Sequence, residues 1–360
     1  MAVEFVGMIG AGYYSESTKA NGPSIDQAYL KKFARAYDEG GFDWTLVPYS
    51  SSAPESNQLA AAVLSRTERL KVMLAHRPGV AFPTNIARAF ATLDQLSDGR
   101  LGIHFLAGGN DSEQRREGDY LGKDERYERA GEYIRILRRA WASPDPFSHH
   151  GKHYRFEDYS SPVLPVNRGL TVSVGGSSNA AYRLGGAEGD VFGLWGEPLA
   201  ETAGQIAAVN GYADAAGRPH PRIWVSFRPI IAATDELAWD RAHRILGGIK
   251  ENFARKVPVA AGSAGGPQNA GSQRLLALAE RGEHHDRALW TPTAAATGGA
   301  GSSTALVGSY ETVAAALLDY VDIGCELLSV RGYDPLNDAI DLARYVLPLV
   351  RQELAHRKAA

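Results

Sequence analysis

Eight short apolar runs recur along the chain, separated by stretches in which apolar residues have helical spacing. Each run is bounded by glycine, proline or polar residues, which is typical of a buried strand. The runs are EFVGMIG (4–10), WTLVPY (44–49), LKVMLAHRPG (70–79), LGIHFLA (101–107), LTVSVGG (170–176), DVFGLWG (190–196), RIWVSFRPIIAAT (222–234) and CELLSVRGY (325–333). Eight strands alternating with helices predict an α/β fold, the (β/α)8 TIM barrel, whose reactive groups lie at the carboxyl ends of the strands.

The pattern also predicts where three helices begin. Ser24 and Gln27, three residues apart, fit a capping box at the start of the first helix, and Gly40 with Gly41 ends that helix. Pro83 suits the first position of a later helix, because proline lacks the N–H that is unpaired there. Either Ser177 or Ser178 is expected to cap the helix that follows the fifth strand.

Two stretches interrupt the repeat. Residues 144–169 hold too many prolines and aromatic residues for a helix, so they predict an insertion with a short hairpin. Residues 256–304 are rich in Gly, Ala and Ser, and a segment this long in a compact barrel predicts a mobile lid after strand seven. We therefore expect one barrel domain over residues 1–360 that carries an insertion and a lid.

Composition narrows the class of protein. The net charge of −3 gives no electrostatic reason to expect nucleic acid or an anionic membrane surface as a partner. No apolar run approaches the roughly 18 residues of a membrane span, and residues 1–14 lack a basic region before their apolar stretch. These features predict a cytoplasmic protein. The single cysteine, Cys325, excludes an internal disulfide and is expected to be buried in the last strand.

The predicted strand ends bring cations and aromatic side chains to one edge of the barrel. The candidate site residues at or near these ends are His76, His104, Gly108, Trp195, Arg228, Arg331 and Tyr333. His104 lies within its strand, where it is either a hydrogen-bonded core residue or a cofactor contact. The histidine-rich stretches 149–153 and 283–286 fall in a hairpin turn and at a helix end, so we expect solvated loop histidines there and no metal site.

VGGSSNAA (174–181) runs from a strand into a helix through two glycines and two serines. The N–H groups at a helix N-terminus suit a phosphate, so Gly176, Ser177 and Ser178 are candidate phosphate contacts. Tyr127 opens another helix in ERYER and could reach the same phosphate. The alternatives are an ordinary serine cap and, for Tyr127, an aromatic residue that packs under the insertion.

Several motifs follow one another along the chain, namely ATLDQLSDGR, KDERYERAGEY, GKHYRFED, VGGSSNAA, LWGEP, ALVGS and RGY. Their order resembles the bacterial luciferase-like flavin monooxygenases, and within them the two-component alkanesulfonate monooxygenases. The resemblance implies a TIM barrel with a lid after strand seven. It also implies reduced FMN (FMNH2) from a separate NAD(P)H-dependent reductase, reaction with O2, and oxygen insertion that releases sulfite and an aldehyde. Relatives form dimers and tetramers, so a homodimer or homotetramer is expected.

The resemblance also implies roles for particular residues. Tyr127, Gly176, Ser177 and Ser178 match the phosphate-side positions of the family, while Trp195 and Tyr333 match its active-site Trp and Tyr. The substrate side departs from the family pattern. Family members place Arg-x-His on strand seven, where this chain has Ser226 and Arg228, and an arginine in the lid, where it has Thr297. The early cysteine is replaced by Ala53-Pro54.

Two arginines could replace the missing substrate contacts. Arg331 stands two residues before Tyr333 and Arg228 takes the place of the family histidine, and two guanidinium groups could form a sulfonate pocket. The alternative is that either arginine pairs with a carboxylate such as Asp111 or Glu197. Two rival functions remain open: an F420-dependent dehydrogenase with the same fold, and a flavin-binding protein without turnover.

Overall fold

The computed structural model describes residues 3–18, 22–254, 267–301 and 303–359. Its strands are β1 (Glu4–Met8), β2 (Trp44–Val47), β3 (Lys71–His76), β4 (Leu101–Phe105), β5 (Phe147–His150), β6 (Arg155–Tyr159), β7 (Thr171–Gly175), β8 (Val191–Trp195), β9 (Arg222–Ala232), β10 (His284–His285), β11 (Leu289–Trp290), β12 (Ala305–Ser309) and β13 (Cys325–Val330).

Helices follow most of these strands. They are α1 (Gln27–Glu39), α2 (Ser56–Leu64), α3 (Pro83–Leu96), α4 (Asp111–Arg115), α5 (Lys123–Ala142), α6 (Asn179–Glu188), α7 (Leu199–Ala215), α8 (Asp235–Ala254), α9 (Ala270–Arg281), α10 (Pro292–Ala296), α11 (Tyr310–Asp322), α12 (Pro335–Asp341), a π-helical turn (Leu342–Val346) and α13 (Leu347–Ala359). None of the described helices is long and apolar enough to cross a membrane.

Eight strands form a closed ring in the order β9, β13, β1, β2, β3, β4, β7 and β8, and β8 pairs back onto β9. The neighbours β13–β1, β3–β4 and β4–β7 are parallel. Each of the eight predicted runs contains one ring strand, so the (β/α)8 TIM barrel is confirmed. All five residues of β4 are buried, because both faces of a parallel strand are covered.

Strand β9 is longer than the others and changes partner along its length. Its first half pairs with β13 as far as Phe227, and its second half pairs with β12 from Arg228 onward. Strands β11 and β10 extend β12 in antiparallel fashion. The sequence pattern did not predict β12. Arg228 therefore stands at the point where β9 leaves one neighbour and joins another.

Helix ends agree with the sequence signals at most positions. Helix α1 ends at Glu39, followed by Gly40, α3 begins at Pro83, and Ser178 caps α6. The capping box at Ser24 was wrong: the N-cap is Asp26, whose carboxylate accepts from the N–H of Tyr29 at 2.9 Å. An aspartate directly before the helix supplies the acceptor, so Ser24 has no capping role.

The two stretches that interrupt the strand–helix repeat, residues 144–169 and 256–304, contain some secondary structure of their own. The insertion contains the antiparallel hairpin β5–β6, as predicted. Of the predicted lid, residues 267–301 contain α9, β10, β11 and α10, while residues 256–266 and 302 lie outside the described part of the chain. The mobility of this segment stays a prediction. Cys325 is 1% exposed in β13, as expected, and burial raises the pKa of its thiol to about 12.

The chain divides into two compact units. The first unit contains residues 1–45, 193–207 and 222–360, and the second contains residues 46–192 and 208–221. Tyr127 and residues 176–178 lie within the second unit, while Glu16, Arg228, Arg331 and Tyr333 lie within the first.

Candidate functional site

The phosphate-side cluster, made of Tyr127, Gly176, Ser177 and Ser178, lies in the second unit where β7 passes into α6. The Ser178 hydroxyl accepts from the N–H of Ala181 at 3.3 Å and is hydrogen-bonded to the Tyr127 hydroxyl. Gly176 has φ of +142°, and a Cβ atom there would lie 2.7 Å from the Tyr127 hydroxyl oxygen. The backbone of Gly176 therefore approaches Tyr127 as closely as only glycine permits.

Tyr127 is a neutral phenol in this cluster. Burial raises the pKa of its phenol, and the bond to Ser178 and the nearby Arg126 guanidinium lower that pKa by less. Arg126 is 2% exposed and pairs with Asp111 at 3.0 Å. The cluster thus combines three hydroxyl groups, a helix N-terminus and a nearby cation, which is the donor set of an anion site.

Gly108 lies at the exit of β4, next to the same arginine. Its φ is +84°, and its carbonyl accepts from Arg126 Nη2 at 3.3 Å. A Cβ atom at Gly108 would lie 2.2 Å from Nε2 of Gln114, a fully buried residue. The glycine is therefore required by local packing, and its predicted contact with a cofactor stays a prediction.

The two predicted histidines are buried and neutral. His76 Nε2 lies 3.0 Å from the Tyr133 hydroxyl, and its ring stacks on Tyr133 at 5.6 Å. His104 Nδ1 lies 2.8 Å from the Ser173 hydroxyl. Burial lowers the pKa of His76 to about 3 and that of His104 to about 4. Both have the contacts of core residues, which is the alternative considered for His104, and neither can donate a proton from a charged ring near neutral pH.

The arginine cluster, made of Glu16, Arg228, Arg331 and Tyr333, lies in the first unit. Arg228 binds both oxygens of Glu16, with distances of 2.8 Å from Nη1 to Oε1 and 2.9 Å from Nη2 to Oε2. Arg331 Nη2 binds the same Oε1 at 2.8 Å. Both arginines are thus paired with one carboxylate, and that carboxylate is Glu16.

Tyr333 completes this cluster. The Arg228 guanidinium carbon lies 3.9 Å from the centre of the Tyr333 ring, a cation–π contact. The Tyr333 hydroxyl is buried and makes no hydrogen bond to any described residue. The side chain of Thr293 lies near it and lowers its pKa slightly. Burial raises the pKa of this phenol, and the charge of Arg228 opposes that rise. A buried, protonated hydroxyl without an acceptor is available to donate to a ligand.

Trp195 ends β8 in the first unit and packs against the glycine-rich end of the predicted lid. A Cβ atom at Gly301 would lie 2.8 Å from Cζ2 of the indole. Two residues beyond Trp195, Glu197 is 3% exposed and accepts from Arg274 of α9 at 2.6 Å. The described part of the predicted lid is therefore held to the exit of β8 by an ion pair.

Sequence reasoning missed Glu16. The carboxylates considered as partners for the two arginines, Asp111 and Glu197, pair with Arg126 and Arg274 instead. Glu16 lies 212 positions from Arg228, in the polar loop after β1, and no local spacing marks it. Thr297, at the position of the family arginine, donates to the carbonyl of Thr293 at 3.0 Å and is buried.

The histidine-rich stretches make other contacts. His149 pairs with Glu132 at 3.0 Å, and His285 lies 3.0 Å from the carbonyl of Gly282. Among the residues that the structure describes, no group of three or more His, Cys, Asp or Glu side chains is arranged to hold a metal ion.

Comparison with known proteins identifies the family of this chain. The family model described as luciferase-like monooxygenase matches residues 9–327. EDTA monooxygenase from Chelativorans sp. BNC1 superposes with a TM-score of 0.80 at 17% identity, covering 98% of this chain and 94% of that one. A riboflavin lyase solved with modified FMN and riboflavin gives 0.80 at 18% identity, with 98% and 92% covered.

An F420-dependent secondary alcohol dehydrogenase, solved with an F420-acetone adduct, has the same fold. Its TM-score is 0.69 at 16% identity, covering 97% of this chain and 99% of that one. At such identities the likeness establishes the fold alone. The family model spans most of the chain, and the chain therefore belongs to the luciferase-like monooxygenase family.

Proposed function

We propose that this protein is an FMN-dependent monooxygenase that oxidises an organosulfur compound with O2. Reduced FMN would come from a separate NAD(P)H-dependent flavin reductase. The observation that carries the proposal is the phosphate-side cluster, in which Tyr127 and Ser178 meet beside Gly176 at the start of α6. The organosulfur class rests on the motif resemblance.

The cluster fits the phosphate end of FMN. The hydroxyls of Tyr127, Ser177 and Ser178 would hold phosphate oxygens, together with N–H groups of the first turn of α6, which have no acceptor within their own helix. Gly176 leaves room because it has no side chain, and Arg126 adds positive charge close by. Bound reduced FMN would supply the electrons that activate O2.

On the substrate side, the chain offers Tyr333 and Trp195. The Tyr333 hydroxyl is buried and protonated, so it is suited to donate a hydrogen bond or a proton to an oxygen atom of the substrate. The ring of Trp195 would form an apolar wall that excludes water. Both residues match family active-site positions, and this match supports their role.

The alkanesulfonate form of the proposal needs a free cation for the sulfonate. Both candidate guanidinium groups are bound to Glu16, at 2.8 Å from Arg228 and 2.8 Å from Arg331. This arrangement favours an uncharged organosulfur substrate, such as a sulfone, over an alkanesulfonate. Sulfite and an aldehyde are the products expected if a sulfonate is nevertheless the substrate.

A turnover screen tests the proposal. Purified protein is supplied with FMN, a generic flavin reductase, NADH and a panel of sulfones, sulfinates and sulfonates, and substrate loss is followed with and without O2. We expect consumption of at least one organosulfur compound only when FMN, reductase and O2 are all present. Reduction of F420 by an alcohol without O2 would favour the dehydrogenase instead. Flavin binding without turnover across the panel would favour a non-catalytic role.

A further inference from the structure

The Glu16 carboxylate takes the position that a bound oxyanion would take between two arginines. It accepts three hydrogen bonds, two from Arg228 and one from Arg331, at 2.8–2.9 Å. A guanidinium fork binds carboxylates and other oxyanions through the same pair of parallel N–H donors. The side chain of Glu16 is therefore chemically equivalent to an anionic ligand that the protein supplies itself.

The loop that carries Glu16 is fixed in place. The carbonyl of Glu16 accepts from Asn252 Nδ2 at 3.1 Å, and Ser15 bridges to Thr18. The next residue packs on α8, where a Cβ atom at Gly248 would lie 2.6 Å from the carbonyl oxygen of Ser17. Glu16 is thus held by its backbone as well as by its carboxylate.

Arg228 is fixed in the same way. Besides Glu16, Arg228 donates from Nε to the carbonyl of Arg331 at 2.8 Å and from Nη2 to the carbonyl of Gly332 at 3.1 Å. Arg228 is 2% exposed and stacks on Tyr333. The guanidinium group next to Tyr333 therefore cannot turn toward an incoming anion without losing several bonds.

The cluster contains three charged groups. Burial alone would raise the pKa of Glu16, but the attraction of Arg228 and Arg331 lowers it far below its usual range, so the carboxylate stays ionised. Two arginines and one glutamate carry a net charge of +1, so the two guanidinium groups share Glu16 as their counter-ion. An added sulfonate would have to displace Glu16 or share its donors, and either costs hydrogen bonds.

We propose that Glu16 is an internal counter-ion that fills the anion-binding position of Arg228 and Arg331. It thereby selects substrates that carry no negative charge at the end next to Tyr333. The assignment of this cluster to the substrate side rests on the proposed function. Glu16 is a specificity-determining residue in this account, because removing its charge converts the same two arginines into a sulfonate site.

The test is a change of ligand preference on replacing Glu16 by Gln. Methanesulfonate is titrated into the full chain without flavin, and binding is followed by calorimetry and by the shift of the melting temperature, with chloride at equal ionic strength as reference. For Glu16→Gln we expect methanesulfonate to bind ~10-fold or more tightly than for the wild type, since two desolvated guanidinium groups lose their partner. Wild-type protein should show no sulfonate-specific shift.

Two further variants test whether sulfonate binding needs the two arginines of this cluster or only the loss of a negative charge. Glu326→Gln makes the same charge change on a carboxylate of similar exposure whose partner, Arg222, also pairs with Glu4, and it should create no sulfonate site. The double change Glu16→Gln with Arg331→Met should lose the binding that Glu16→Gln gains. If Glu16→Gln is only marginally folded, methanesulfonate but not chloride should restore its melting transition.

Equal sulfonate binding by wild type and Glu16→Gln would overturn the inference, and so would failure of methanesulfonate to stabilise the variant. Neither experiment contains flavin, O2 or turnover. A negative result therefore leaves the monooxygenase proposal standing. Failure of the turnover screen leaves the counter-ion role of Glu16 standing, but not its role in substrate choice.

Discussion

The hydroxyl oxygen of Tyr127 lies 2.7 Å from the position that a Cβ atom on Gly176 would occupy. A tyrosine on α5 and a glycine after β7 thus shape one small polar site. That site also contains the Ser178 hydroxyl and the first turn of α6. Its hydrogen-bond donors are suited to a dianionic phosphate.

Removing two of the donors should weaken binding of reduced FMN. Tyr127→Phe combined with Ser178→Ala should cost ~1–3 kcal/mol of binding free energy, the scale for hydrogen bonds to a charged group. Reduced riboflavin lacks the phosphate and should be insensitive to both changes. Anaerobic fluorescence titration measures the two affinities. Tyr120→Phe, at a tyrosine that is 77% exposed, serves as the control, and equal losses for FMN and riboflavin would reject the assignment.

Adding one methyl group at Gly176 should damage the same site. Gly176→Ala places a Cβ atom 2.7 Å from both Tyr127 Oη and Ala181 Cβ, at φ of +142°. Backbone strain of this kind costs ~1–3 kcal/mol, and the close contacts add to it. We expect a lower urea midpoint and weaker FMN binding.

Gly118→Ala is the matched control for this change. Gly118 also has positive φ, +77°, but has open space around its Cα. Gly118→Ala should be destabilised by the same backbone strain but should keep the FMN affinity of the wild type. An equal loss of affinity in both variants would show that positive φ, and not contact with Tyr127, is responsible.

The ion pair between Arg274 and Glu197 should restrain the predicted lid. Residues 256–304 are expected to be cut by proteases in the free protein and protected when flavin and substrate are both bound. Because Arg274 holds α9 to the exit of β8, Arg274→Met should speed cleavage within this segment. Limited proteolysis with mass spectrometry locates the cuts.

Arg281→Met provides the comparison for Arg274→Met. Arg281 leaves the same helix and pairs with Glu201, but its side chain is 57% exposed, so its loss should change little. Cleavage that neither variant alters and that ligands never slow would count against a gating role for the segment.

The buried histidines predict a dependence of stability on pH. The folded pKa values of His76 and His104, about 3 and about 4, lie below the unfolded value of about 6.5. The unfolded chain therefore binds protons first. The stabilising effect of the neutral rings is complete above about pH 6.5 and is lost as pH falls toward the folded pKa values.

His104→Gln should reduce this dependence. Between about pH 7.5 and about pH 5, the free energy of unfolding should fall by ~1–2 kcal/mol less in the variant than in the wild type. Urea unfolding at both pH values measures this difference. His150→Gln, at an exposed histidine of the β5–β6 hairpin, should keep the wild-type dependence. An unchanged dependence in His104→Gln would mean that this ring is not neutral in the folded state.

Most of the barrel could be predicted because parallel strands buried on both faces are continuous apolar runs, as in LGIHF of β4. Strand β12 escaped prediction because it follows a glycine-rich segment and joins the sheet only through the extra length of β9. The capping box failed for a local reason, since Asp26 stands nearer to the helix than Ser24 and supplies a stronger acceptor.

The candidate site was less predictable than the fold. The phosphate-side cluster could be anticipated because Gly176, Ser177 and Ser178 are contiguous and their strand–helix context is visible in the sequence. The partner of Arg228 could not, because Glu16 is 212 positions away in a loop without periodic pattern. Long-range pairing of charges depends on the closed barrel, which brings the loop after β1 to the ends of β9 and β13.

Under the proposed function, this chain transfers an oxygen atom from O2 to an organosulfur compound with electrons from reduced FMN. The most direct measurement is mass spectrometry of the products formed from the sulfone, sulfinate and sulfonate panel under 18O2, with FMN and a reductase. We predict one 18O atom per molecule of an oxidised product, and no such product without FMN. Products that carry no 18O, or that form equally well without O2, would contradict the account.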